Sequence, residues 1–70
     1  MILTKTNLNF KENLKLLRKE NGITQDSLAK LLNTTTKTIS HWETGYAEPS
    51  LAQLLKIAEV FEITVDELLT

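Results

Sequence analysis

Four side chains carry the chemistry this 70-residue sequence puts forward: Thr36, Lys37, Ser40 and His41. Their three- and four-residue steps place them on one side of a short helix. Together they offer hydroxyls, an imidazole and one ammonium. Such a set suits non-covalent reading of a polar surface, and it fits the base edges of a DNA major groove, which admits a single helix. Covalent chemistry has little support. The chain has no Cys, one His, no glycine-rich phosphate loop and no clustered carboxylates. Seventy residues in short helices leave little room for a pocket. The expectation is therefore a protein that is not an enzyme and holds no metal or cofactor.

A row of this kind must be held outward by something. The segment from Thr24 to Gly45 predicts two short helices, Gln25 to Leu32 and Thr36 to Glu43, joined by a bend at Asn33-Thr34-Thr35. Leu28, Ala29, Leu32, Ile39 and Trp42 recur at spacings that turn them inward. Trp42 follows Ile39 by three residues, so it belongs to the core and not to base stacking. Thr24 and Thr35 are suited to cap the two helices. Asn33 stands where the bend needs a positive φ, which Asn tolerates better than any residue but Gly.

The flanking chain supplies the packing. Asn9 and Glu12 form a capping-box pattern ahead of a helix from Phe10 to about Asn21. Phe10, Leu14 and Leu17 are its buried stripe, while Lys11, Lys15 and Lys19 make an exposed basic row that reads as a plain solvated face. Asn21-Gly22 ends this helix, and Ile23 packs beneath the turn that follows. Thr44-Gly45 ends the helix carrying the row, and Tyr46 to Pro49 is a loop. Ser50 and Gln53 open a helix from Leu51 to Phe61, with Leu51, Leu54, Ile57, Ala58 and Phe61 inward. Thr64 and Glu67 open a last short helix, Val65 to about Leu69, with Ile63 and Leu68 placed to close as a hydrophobic staple. No segment alternates as a strand does. The fold class is therefore all-α with five helices. Residues 9–70 form the domain and residues 1–8 a flexible N-terminal arm, although Ile2-Leu3 before alternating Thr and Lys leaves a short strand open.

Composition narrows the function class. Apolar residues at 41% and charged residues at 24% are ordinary for a globular protein. The absence of Cys excludes disulfides and thiolate metal sites and fits a reducing cytoplasm. No apolar run approaches the roughly 18 residues of a membrane span, and no signal-peptide pattern is present, so no membrane association is expected. The net charge of −1 is unevenly spread. Residues 1–46 hold seven Lys and Arg against four acids, whereas residues 47–70 hold one Lys against five acids. A basic first part and an acidic last part suit one face turned to phosphates and one turned away. Helical surfaces are charged in any case, so this asymmetry strengthens a nucleic-acid reading only modestly.

The ordered set Leu17-Arg18, Gly22-Ile23-Thr24-Gln25, Leu28-Ala29, Leu32, Thr35, Thr38-Ile39-Ser40, Trp42-Glu43 and Gly45, then Pro49, Leu54, Ile57-Ala58, Phe61 and Leu68, resembles the phage repressor and Cro type of helix-turn-helix domain, the XRE family. The resemblance spans residues 10–69. It implies a five-helix lambda-repressor-like DNA-binding domain with the helix-turn-helix at helices 2 and 3. It further implies that Gln25 grips a DNA phosphate, and that Thr35, Thr36, Lys37, Ser40 and His41 face base edges and flanking phosphates. Thr44, Gly45 and Tyr46 would form the loop that meets the backbone again, and Arg18 and Glu43 a buried ion pair. Many relatives carry Gln where Thr36 and Lys37 stand, so no operator sequence carries over.

The implied role is a sequence-specific transcriptional regulator in the cytoplasm. It would be a repressor binding a palindromic operator on double-stranded DNA as a homodimer. An antitoxin with a toxin partner, or a small controller or activator touching RNA polymerase, shares the fold. Leu31, Leu55, Val60 and Leu69 exceed what one small core needs. The last three, with Leu51 and Val65, are candidates for a two-fold contact between copies.

Overall fold

The computed structural model describes residues 10–70, and the expected Asn9 cap and the arm of residues 1–8 lie outside them. Among the described residues the elements are α1 (Phe10–Glu20), α2 (Gln25–Leu31), α3 (Thr36–Thr44), α4 (Leu51–Phe61) and α5 (Val65–Leu69), with no strand. Boundaries differ from the sequence expectation by a residue at three ends. α1 stops at Glu20, α2 stops at Leu31 with Leu32 as its cap, and α3 runs on through Thr44.

The four helix starts that lie among the described residues, those of α2 to α5, each have a polar cap. The hydroxyls of Thr24, Thr35, Ser50 and Thr64 accept from the backbone N–H of Ser27, Thr38, Gln53 and Glu67. Ser50–Gln53 and Thr64–Glu67 are complete, reciprocal capping boxes. Such a cap contributes about 1 kcal/mol, a useful amount for helices of five to eleven residues.

Three helices end alike. After α1, Ile23 N–H donates to Arg18 O and Gly22 N–H to Lys19 O; after α2, Thr34 donates to Ala29 O and Asn33 to Lys30 O; after α4, Ile63 donates to Ala58 O and Glu62 to Glu59 O. This is the Schellman arrangement, which needs a left-handed residue at its pivot. Gly22 (φ 67), Asn33 (φ 57) and Glu62 (φ 57) fill that role. The pivots at Gly22 and Asn33 are legible in the sequence. Glu62 is not, because a Glu there works against the steric preference of an L side chain.

The core draws one fully buried aliphatic from every helix: Leu14, Leu28, Ile39, Ile57 and Leu68. Phe10, Ala29 and Trp42 complete the buried cluster, and Leu17, Ile23, Leu32, Leu54, Phe61 and Ile63 pack against it. α3 lies against α2 and α1, and α5 closes the fold by packing on α1 and α4. Asn13 on α1 fastens that closure, its Nδ2 donating to Leu68 O at 2.9 Å.

Two apolar assignments are corrected. Leu51 does not face inward; it is 69% exposed. It lies two turns before Ala58, roughly 10 Å along the axis, which carries it past the end of the core. Val60 and Leu69 are not surplus surface, since both pack on the core. Val60 stands three residues after Ile57 on the same face, and the closure of α5 brings Leu69 in beside Leu68. Leu31 and Leu55 do remain exposed.

Candidate nucleic-acid interface

α3 is fixed from its inner side. Ile39, Trp42 and Glu43 are its buried residues. Glu43 is the one buried charged residue among those described, and its carboxylate is saturated with donors. Arg18 Nε donates to Oε2 at 2.6 Å, Arg18 Nη2 to Oε1 at 3.1 Å, and Gln25 Nε2 to Oε1 at 3.1 Å. Arg18 Nη1 also donates to Ile23 O at 2.9 Å, in the turn between α1 and α2. One carboxylate therefore joins three helices.

The electrostatics follow from that geometry. Burial pushes the Glu43 carboxyl up, but hydrogen bonds from Arg18 and Gln25 and the charges of Arg18 and Lys15 outweigh it and hold the group below the ordinary glutamate value. The hydrogen bond to Glu43, reinforced by its charge and opposed by burial, raises the Arg18 guanidinium above its already high value. Both groups are charged across the whole physiological range.

The outward side of α3 carries the row. Thr36 and Lys37 are exposed, and Ser40 and His41 are half-buried. Thr36 Oγ1 donates to Asp26 Oδ1 on α2 at 3.1 Å. The Thr35 hydroxyl is occupied as the helix cap, lying 2.9 Å from Thr38 Oγ1 and accepting from Thr38 N–H at 3.1 Å. The His41 ring leans on Tyr46, with centroids 4.6 Å apart and planes inclined by 50°. Thr44 Oγ1 donates to His41 O at 3.3 Å, and Ala47 N–H donates to the same carbonyl at 3.2 Å. These bonds wind the turn after α3 back against the helix. Gly45 (φ 81) makes that turn possible. The Lys11 side chain lies across it, so that a Cβ at Gly45 would sit 3.2 Å from Lys11 Cδ.

The structure thus brings Thr36, Lys37, Ser40 and His41 together along α3, with Thr44 and Tyr46 at the turn that follows. Gln25 stands apart in one respect: its side chain is half-buried and its amide is held by Glu43. Sequence reasoning missed Asp26 and Lys11. The signal for Asp26 was its place in the first turn of α2, the end that the bend brings beside the first turn of α3. For Lys11 no local signal exists, because 34 residues separate it from the glycine it covers.

A helix-turn-helix family model, HTH_3, matches residues 14–68. The chain belongs to the helix-turn-helix family. Within this family it is of the XRE type with a lambda-repressor-like fold. The HTH-type transcriptional activator BcrR of Enterococcus faecalis is 38% identical over 63 residues, covering 90% of this chain and 31% of BcrR. The P22 c2 repressor, solved in complex with a synthetic operator, superposes with a TM-score of 0.82 at 30% identity, over 87% of this chain and 92% of the repressor. Hydroxypropylphosphonic acid epoxidase from S. wedmorenis superposes with a TM-score of 0.83 at 36% identity, over 96% of this chain and only 36% of the enzyme. That match is to the helix-turn-helix portion alone. The first two curated relatives are matched over 31% and 52% of their own lengths. No helix among the described residues is long and apolar enough to cross a membrane.

Proposed function

We propose that this helix-turn-helix chain is a sequence-specific, DNA-binding transcriptional regulator that acts in the cytoplasm and catalyses no reaction. The observation that carries the proposal is the division of α3. Its inner side is locked by Ile39, Trp42 and Glu43, while Thr36, Lys37, Ser40 and His41 line the side away from the core. In this reading α3 enters the major groove. Lys37 donates to guanine O6 and N7, and Ser40 and His41 meet neighbouring edges or phosphates. Gln25 has two amide hydrogens; Glu43 holds one, and the other is free to meet a backbone phosphate. Thr35, Thr44 and Tyr46 meet the backbone on either side of the helix.

The proposed unit is a homodimer on a palindromic operator, with one α3 in each of two successive grooves about 34 Å apart. The exposed Leu51 and Leu55 on α4 supply apolar surface for pairing. Repression by blocking a promoter is the simplest output for such a small domain. Activation is the second reading, favoured by the likeness to BcrR, which is named as an activator.

The test is binding to DNA from the chain's own gene neighbourhood across a salt series. Affinity should fall steeply with salt through counterion release, by about one log unit per log unit of salt for each phosphate contacted. Absence of binding even at low salt refutes the proposal. A reporter driven by the bound promoter then separates repression from activation.

A further inference from the structure

The Thr36–Asp26 bond bears on what α3 can read. A threonine hydroxyl has one proton to give and two lone pairs to receive with. Left free, it rotates and serves as donor or acceptor, and it discriminates poorly between bases. Here its proton is already given to Asp26 Oδ1 at 3.1 Å. Asp26 is itself steadied by Lys30, whose Nζ lies 3.4 Å from Oδ2. In water such exposed contacts are weak. Once a duplex covers them and excludes solvent, the same bonds strengthen.

We infer that Asp26 is a specificity-determining residue: by taking the Thr36 proton it turns that hydroxyl into an acceptor, and so selects adenine or cytosine on the strand Thr36 faces. This inference rests on the DNA reading proposed above. The only base-edge donors in the major groove are adenine N6 and cytosine N4, whereas guanine O6 and thymine O4 accept. A hydroxyl whose proton is committed gains nothing from the keto bases. The nearby carboxylate acts in the same direction, since it attracts an amino group and repels a keto oxygen. Asp26 also sets a negative charge beside a surface meant for phosphate, which lowers affinity for DNA of any sequence. The residue therefore trades general affinity for discrimination, and Lys30 offsets part of that repulsion.

The experiment selects bound sites from a random duplex pool with four full-length proteins: wild type, Asp26→Ala, Thr36→Val and Lys37→Ala. Thr36→Val keeps the shape and removes the hydroxyl. All three changes are at exposed positions, and circular dichroism melting confirms that each variant is folded. The wild-type motif should contain one position per half-site that favours adenine or cytosine over guanine or thymine. Asp26→Ala and Thr36→Val should each reduce that preference about fivefold, the scale of one hydrogen bond, at the same position. Asp26→Ala should also bind random DNA more tightly than wild type. A motif that Lys37→Ala alters but that survives either Asp26→Ala or Thr36→Val overturns this inference alone. A wild-type protein that selects no motif overturns the DNA reading and this inference with it.

Discussion

Removing the Glu43 carboxylate should cost this domain a large part of its stability, from about a third upward, and removing its partner as well should restore much of what was lost. The Glu43 side chain is 2% exposed and that of Arg18 12% exposed. Glu43→Ala strands the guanidinium in the interior with Ile23 O as its remaining partner, and it releases the Gln25 amide. Breaking one side of such a pair costs roughly 3–5 kcal/mol. A 70-residue domain has about 3.5–10 kcal/mol in total, at roughly 0.05–0.15 kcal/mol per residue. The single variant should therefore melt at least 12 °C lower, at about 4–8 °C per kcal/mol, or fail to fold at 37 °C. The double variant Arg18→Met/Glu43→Leu leaves no buried charge and should lie within about 2 kcal/mol of wild type. The assay is urea denaturation followed by circular dichroism, applied to Glu43→Ala and to a double-mutant cycle of Arg18→Met, Glu43→Leu and their combination. A coupling of at least about 2 kcal/mol is expected. A Glu43→Ala loss under about 1 kcal/mol, or a double loss equal to the sum of the singles, refutes the view of this carboxylate as a three-helix joint.

Other consequences are as direct. Because the folded Glu43 carboxyl titrates below its ordinary value, its contribution is complete above about pH 5 and is lost as pH falls through its lowered folded value; urea midpoints should drop toward pH 3 in wild type and drop less in Arg18→Met/Glu43→Leu. Glu62→Gly relieves a left-handed penalty of about 1–2 kcal/mol against a glycine entropy cost of about 0.5–1 kcal/mol, so the melting temperature should rise by a few degrees. Gly45→Ala should lower stability by about 1–2 kcal/mol, since φ is 81 and the added Cβ meets Lys11 Cδ. Lys37→Ala and His41→Ala should weaken specific over random binding in a fluorescence titration, with melting nearly unchanged. Gln25→Ala should weaken binding to all sequences alike and also cost about 1–2 kcal/mol of stability, because it removes a donor to buried Glu43.

Much of this architecture was legible because local and global signals agree. Ser50–Gln53 and Thr64–Glu67 announce helix starts before any packing is considered, and both form as capping boxes. Gly22, Asn33 and Gly45 stand where left-handed residues are needed. What escaped the sequence depends on distance and on helix ends. Leu51 satisfies the apolar period of α4, yet it lies beyond the region the other helices cover. Val60 and Leu69 looked dispensable because periodicity along one helix says nothing about where α5 lands. At the candidate interface, residue types pointed to the row on α3. They did not show that Gln25 is tied to Glu43, that Asp26 holds Thr36, or that His41 leans on Tyr46. Those are side-chain pairings across turns, and spacing alone does not select partners.

The single aliphatic that each helix lends to the centre has an evolutionary corollary. With five short segments meeting at one knot of five side chains, none can detach without loosening the rest, so unfolding should be all-or-none. None of the four outward residues of α3 belongs to that knot. On the proposed DNA reading, exchanging those four residues would change the target while leaving the packed centre untouched, so address and architecture would be free to diverge independently.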